Sequence, residues 1–198
     1  MLVLPQIRDG LRQRPPSLLP EEGLHRAAVA MLLRPAPQGT EVLFIRRAEH
    51  ELDPWSGDLA FPGGRIDLTD AGPRAAAERE TREEIGLSLT PADYLGRSDD
   101  LAGAYLSIHI SCFVYRLPDP HAFVLNGEVV DLFWVPLATL LDPQRNRRQC
   151  FHYRGAGREH PVIDLPEWSE RPLWGITYRL LQNFLGRFDL SFRYPEKI

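Results

Sequence analysis

Residues 79–86, Arg79-Glu80-Thr81-Arg82-Glu83-Glu84-Ile85-Gly86, restrict the fold of this chain more than any other stretch. The segment leading into them reads as a helix from residue 73: Pro73 suits the first helical position, Gly72 can cap it, and Gly86 supplies a left-handed stop. At 100° per residue Glu80 and Glu84 share one face, about 6 Å apart along the axis, with Glu83 beside them. Ala77, Thr81 and Ile85 form the adjoining stripe, small and semi-polar enough to lie on a sheet. One side of this helix is therefore core and the next is acidic. Like charges at these spacings cost about 0.2–0.5 kcal/mol per pair. Glu78 and Arg82 offer a compensating i,i+4 pair and Arg79 can reach Glu83, but neither arginine is placed to neutralise Glu80 and Glu84. Clustered oxygen ligands without a counter-charge are what a hard divalent cation such as magnesium requires.

Upstream, Phe61-Pro62-Gly63-Gly64-Arg65 closes a short strand. A glycine pair there permits backbone conformations closed to other residues, and can aim a carbonyl at a metal or amides at a phosphate. Either piece alone is commonplace, since an acidic helix is usually a solvated face and Pro-Gly-Gly is usually a turn. Together, in this order, they predict a pocket for a metal-bridged phosphate, whose natural reaction is attack of metal-activated water on phosphorus.

The rest of the chain supplies the frame. Its 198 residues suit one domain spanning 1–198. Residues 1–25 form an extension, with a short amphipathic helix ahead of a rigid connector at Pro15-Pro16 and Pro20. Strands are expected at 27–33 and 42–45, pairing as a hairpin, then at 59–61, 108–115 and 129–135. A C-terminal helix is expected over about 173–188, with Leu173, Ile176, Leu180, Leu181 and Phe184 facing the core. Strands mixed irregularly with two or three helices point to an α+β architecture. A formal net charge of −4 argues against non-specific nucleic-acid binding, while leaving room for a phosphorylated small molecule. No apolar run is long enough to span a membrane, and the opening Met1-Leu2-Val3-Leu4-Pro5 does not read as a secretory signal. Two cysteines, Cys112 and Cys150, are too few for a disulfide framework. These features predict a cytoplasmic protein with reduced thiols and with Cys112 in the core.

Gly64-x5-Asp70-x8-Arg79-Glu80-Thr81-Arg82-Glu83-Glu84-Ile85-Gly86-Leu87 resembles the Nudix box, Gly-x5-Glu-x7-Arg-Glu-U-x-Glu-Glu-x-Gly-U with U apolar. The match departs in two places: Asp70, followed by one extra residue, stands for the first glutamate, and Thr81 replaces an aliphatic. The resemblance implies a Nudix hydrolase, an αβα sandwich around a mixed sheet with a loop-helix-loop over 64–87, cleaving a nucleoside diphosphate derivative with Mg2+ or Mn2+. It makes Glu80 and Glu84 the principal metal ligands, with Glu83 sharing the metal and the Gly64 carbonyl as a further ligand. Arg79 would orient the glutamates. A glutamate from the region of Asn126-Gly127-Glu128 often joins such a site, so Glu128 and Glu83 are the two candidates for general base.

Residues 42–64 resemble the approach to the box in coenzyme A pyrophosphatase-like members, as does Trp174-Gly175-Ile176-Thr177-Tyr178-Arg179 near the C-terminus. That subgroup implies cleavage of coenzyme A or an acyl derivative to adenosine 3′,5′-bisphosphate and 4′-phosphopantetheine. Leu52, however, stands where an arginine is expected, so recognition of the 3′-phosphate falls to Arg46, Arg47 and Arg65. ADP-ribose, NADH and dinucleoside polyphosphates are the alternative substrates, and a non-catalytic nucleotide-sensing module is the alternative of another class. Phe61, Tyr105 and Trp55 are candidates to stack on a base, or equally to pack in the interior. A homodimer is common in the family.

Overall fold

The computed structural model describes residues 2–20, 25–37, 39–50, 55–103, 107–117, 122–153 and 156–194. Helix α1 (Leu4–Gln13) leads into β1 (His25–Ala36) and β2 (Gly39–Arg47), followed by β3 (Leu59–Ala60), β4 (Gly63–Arg65) and the acidic helix α2 (Pro73–Ile85). Then come β5 (Tyr94–Arg97), β6 (Leu101–Ala102), β7 (Ile108–Arg116), β8 (Val129–Pro136), the short α3 (Leu137–Leu140), the hairpin β9 (Asn146–Tyr153) and β10 (Ala156–Ile163), and α4 (Gly175–Gly186). No described helix is long and apolar enough to cross a membrane.

Strands β1 to β8 share one mixed sheet. The predicted hairpin forms, with Leu33 opposite Val42 and Ala36 opposite Gly39. It runs further than expected, through Pro35, because the ladder between β1 and β7 has already ended at Leu33 and Arg116. Towards the other end of the hairpin, β1 and β2 part. Residues 59–65 fill the gap: Leu59 and Ala60 pair with Arg46 and Ile45 of β2, and Gly63, Gly64 and Arg65 pair with Val29, Ala28 and Ala27 of β1. The glycine pair is thus a strand wedged into the sheet rather than a free turn. β7 runs parallel to β1 on its other side, and β8 runs antiparallel along the outer side of β2.

Alternation along β1 sorts the core into two layers. Ala28, Ala30 and Leu32 face α2 together with Leu43, Ile45, Phe113 and Tyr115, while Met31, Leu33, Val42, Phe44 and Val114 face α1, α3 and α4. This is an αβα sandwich of the α+β class. Cys112 is buried as expected, and burial raises its thiol to about 12. The C-terminal helix is shorter than the apolar spacing suggests, because Leu173 forms a bridge with Ile163 instead of a helical turn.

The N-terminal extension is held by two carboxylates, the partly buried Asp99 and the buried Asp100. Asp99 accepts from the Ser17 amide at 2.7 Å and from Arg187 Nη1 at 2.8 Å, and Arg187 also donates to the Arg14 carbonyl. Asp100 accepts from the Leu19 amide at 3.1 Å and Arg97 Nη2 at 2.7 Å, with His109 Nε2 2.8 Å away. Burial pushes the Asp100 carboxyl up, but the Leu19 amide, Arg97 and His109 together outweigh it and hold the group below its ordinary 3.8. A carboxyl with a depressed folded-state pKa adds stability above its unfolded value and loses it as pH falls through the folded one. Asp100→Asn is therefore expected to cost roughly 3 kcal/mol at pH 7. The gap from wild type should narrow below pH 3.8 in denaturant titrations. A gap that stays constant down to pH 2.5 would contradict this account.

Candidate active site

The acidic helix is fixed to the sheet before its carboxylates do anything. Arg74 Nε donates to Glu78 Oε1 at 2.8 Å and to the Tyr115 hydroxyl at 3.2 Å, and that hydroxyl donates to Glu78 at 2.8 Å. The Arg74 guanidinium also lies 4.1 Å from the ring centre of Tyr94. Glu78 therefore pairs with Arg74 and Tyr115, not with Arg82 as the helical spacing suggested. Ala76, Ala77, Thr81 and Ile85 are buried beneath the helix. Thr81 fits where an aliphatic is usual because its hydroxyl is satisfied by the Ala77 carbonyl at 2.7 Å.

This rotation turns Glu80 and Glu84 toward the glycine pair. Glu84, 1% exposed, accepts from the Gly63 amide at 2.9 Å, and Arg47 Nη1 lies 3.9 Å from its other oxygen. Burial, aided by the charges of Glu80 and Glu128, drives the Glu84 carboxyl up to about 8 against those two favourable contacts. Glu80 lies directly on Gly64, so that a Cβ there would meet its carboxyl carbon at 2.5 Å. Its pKa is also raised: burial outweighs the bond and charge of Arg79, and Glu83 and Glu128 add smaller repulsions.

Arg79 is the hub. It donates to both oxygens of Asp70 at 3.0 Å, to Glu80 at 2.9 Å, to Glu83 at 3.0 Å and to the Arg65 carbonyl at 3.0 Å. The bond to Asp70 raises the Arg79 pKa, and the same bond lowers that of Asp70. Asp70 thus provides a two-oxygen anchor for Arg79 despite its shorter side chain and the extra residue after it. Contrary to the expectation from spacing, Arg79 does partly neutralise Glu80.

Glu83 is 49% exposed at its side chain and held by Arg79. Glu128 is exposed at the mouth of the site, carried by a segment strapped to the end of α2 through Val124 N to Ile85 O and Asn126 N to Glu84 O, both 3.0 Å. Its carbonyl accepts from the Ala48 amide at 2.7 Å. Arg46 lies 3.9 Å from Asp131, and Arg65 is exposed next to the glycine pair. Phe61 is not a substrate platform: it is 2% exposed, with its ring stacked on Phe44 at 5.4 Å in the core. Leu52 and Tyr105 lie outside the described residues, and Trp55 is half-buried.

Among the described residues no group of three or more His, Cys, Asp or Glu side chains is placed to hold a metal ion. The donor set is instead an open one of oxygens: two carboxylates facing a glycine pair, each pushed above the usual carboxylate range, with a third carboxylate adding to the repulsion. A hard divalent cation would relieve that repulsion, so the residues fit one. Sequence reasoning missed the Gly63 amide and Arg47 as partners of Glu84. Neither has a local signal, because a contact across the sheet depends on the wedge between β1 and β2.

The NUDIX domain model matches residues 23–153. The chain is 31% identical over 168 residues to a probable nudix hydrolase of Schizosaccharomyces pombe, covering 81% of this chain and 55% of that protein. It is 36% identical over 129 residues to an uncharacterized protein of the same yeast, covering 61% of this chain and 39% of that one. The chain thus spans roughly half or less of these two relatives. It is 30% identical over 166 residues to the uncharacterized Nudix hydrolase NudL of Yersinia pestis, covering 83% of this chain and 80% of that protein. Among solved structures, a MutT/nudix family protein from Enterococcus faecalis shares the fold, with a TM-score of 0.59 at 14% identity, covering 90% of this chain and 66% of that one. With the box on α2, the glycine wedge facing it and a domain match over most of the chain, this protein belongs to the Nudix hydrolase family.

Proposed function

We propose that this chain is a pyrophosphohydrolase that uses Mg2+ or Mn2+ to cleave the diphosphate of a nucleoside diphosphate derivative, with coenzyme A or an acyl-coenzyme A as the leading substrate. The observation that carries the reading is the pair of raised-pKa carboxylates, Glu80 and Glu84, set against Gly64 and Gly63. Glu80, Glu84 and the Gly64 carbonyl would hold the cation, with Glu83 at its periphery because Arg79 already engages it. When bound, the cation supplies Lewis-acid stabilisation of the charge that develops on the diphosphate oxygens. Arg79 keeps Glu80 in place. Arg47, beside Glu84, is the nearest cation for a substrate phosphate, with Arg46 and Arg65 further out on the same rim.

Of the two candidate bases, Glu128 is favoured over Glu83. It is exposed, its charge is felt by both Glu80 and Glu84, and no ion pair among the described residues holds it as Arg79 holds Glu83. A carboxylate already bonded to a guanidinium is less free to reach a water than one facing solvent. The case for coenzyme A rests on the residues around Gly57, Phe61 and Trp174 that resemble that subgroup. Ranking coenzyme A, dephospho-coenzyme A, ADP-ribose, NADH and diadenosine polyphosphates by kcat/KM tests the substrate. A preference for ADP-ribose or NADH over coenzyme A would replace it with a substrate lacking the 3′-phosphate.

The metal is tested separately from turnover. At about a hundredfold excess over its dissociation constant, Mn2+ is expected to stabilise the protein by about 2.7 kcal/mol, raising the thermal midpoint by roughly 5–10 °C. Glu80→Gln and Glu84→Gln should each remove most of that rise. A midpoint indifferent to Mn2+ and Mg2+, with no turnover on any of these substrates, would favour the non-catalytic module.

A further inference from the structure

The segment between β10 and α4 takes no part in the carboxylate site, yet it grips the loop that leads into it. Arg171 Nη1 donates to the Ser56 carbonyl at 2.5 Å and Arg171 Nη2 to Glu49 Oε1 at 2.7 Å, tying together residues on either side of that loop. Its guanidinium fills the space where Gly57 has no side chain. A Cβ at Gly57, whose φ is +71°, would lie 2.6 Å from it. Three residues on, Trp174 Nε1 donates to Asp58 Oδ1 at 3.0 Å. The indole is itself immobilised, stacked on Phe151 of β9 at 3.8 Å and 6°, with His160 of β10 edge-on at 5.5 Å. Leu173 and Ile163 exchange backbone bonds at 2.9 Å, and the Arg171 amide donates to Ser169 Oγ at 3.1 Å, so the gripping segment is rigid from both sides.

What is gripped connects directly to the site. The Arg47 amide donates to the Asp58 carbonyl at 3.1 Å, the next amide, Ala48, donates to the Glu128 carbonyl, and the Arg47 guanidinium approaches Glu84 at 3.9 Å. The geometry points to Arg171 and Trp174 as positioning residues that act through the loop ends to present Arg47 to the substrate diphosphate. This rests on the hydrolase reading given above. It gives the Trp174-Gly175 motif a physical task, with residues over a hundred positions downstream setting the placement of a phosphate-binding arginine.

Two measurements test it. Arg171→Ala removes both bonds, and Trp174→Phe keeps the stack on Phe151 but removes the donor to Asp58. In native-state hydrogen exchange, both variants should lose protection at the Arg47 and Ala48 amides while α2 and β7 keep theirs. With the best substrate of the panel, KM should rise about tenfold for Arg171→Ala, as expected for loss of a charged hydrogen-bonded clamp, with kcat held within about threefold. In an Arg47→Ala background, Arg171→Ala should add almost nothing to KM. Unchanged protection at Arg47 and Ala48 in both variants overturns the proposal, as does an additive double mutant or a fall in kcat at constant KM. If the wild type turns over no panel substrate, the hydrolase reading fails, and amide exchange alone decides whether the clamp exists.

Discussion

Glu84→Gln is expected to lower kcat/KM by on the order of a thousandfold or more, while leaving the metal-free protein at least as stable as the wild type. The two halves of this expectation have one cause. The Glu84 carboxyl is 1% exposed, and burial has moved it up to about 8, which means that its charge is costly where it sits. Glutamine has the same shape, can still accept from the Gly63 amide, and has no charge to desolvate. A cation bound beside the Glu84 carboxylate would offset the cost of burying its charge. Lewis-acid assistance amounts to several kcal/mol, and each 1.36 kcal/mol is a factor of ten in rate. Glu83→Gln should cost far less, roughly tenfold, because Glu83 is exposed and engaged by Arg79. Steady-state kinetics with melts in EDTA and in Mn2+ check both variants, and Glu84→Gln with wild-type kcat/KM would remove the site assignment.

The adjacent glycines should fail in opposite ways. At Gly63, φ is +153°, and a Cβ would lie 2.4 Å from the Ala28 carbonyl and 2.6 Å from Val29 Cα, backbone atoms within the sheet. Gly63→Ala is therefore expected to cost roughly 3 kcal/mol or more, lowering the thermal midpoint by roughly 10 °C. At Gly64 the nearest obstacle is the Glu80 carboxylate, the end of a side chain that can swing aside. Gly64→Ala should hold its midpoint within about 2 °C of wild type yet lose about a hundredfold in kcat, the usual effect of displacing a reacting group by about 1 Å. Melting curves and turnover of the two variants, measured side by side, decide it. An unstable Gly64→Ala, or a stable but inactive Gly63→Ala, would show that the wedge has been misread.

The helix, its limits and its acidic face were legible because they follow from local rules: Pro73 at the start, Gly86 at the left-handed stop with φ +71°, and 3.6-residue spacing between. The two central strands were legible from short apolar runs, and β7 from weak alternation with β-branched residues. Three things were not. The hairpin of β9 and β10 has charged residues such as Arg147, Arg148, Arg158 and Glu159 over most of its exposed side, so it lacks the apolar pattern of a core strand. The glycine pair reads as a stop because a two- or three-residue strand has no periodicity to display. The partners of Glu80 and Glu84 depend on which rotamers the sheet permits, and helical spacing assigned Arg79 only to Glu83 and Glu78 only to Arg82. Phe61 stays open between base stacking and core packing for a related reason, since an aromatic ahead of a glycine pair has the same composition whichever way it faces; its ring proves to stack on Phe44 in the core.

The parallel alignment of β1 with β7 places His25 beside Ile108, its partner about eighty residues downstream. On the ribosome, the acidic helix therefore emerges well before the strand that completes the layer beneath it. Until residue 116 has left the exit tunnel, β1 presents an open edge and α2 rests on half a floor. Strand β1 has to wait for β7 before its edge can close, a long-range pairing that favours slow folding.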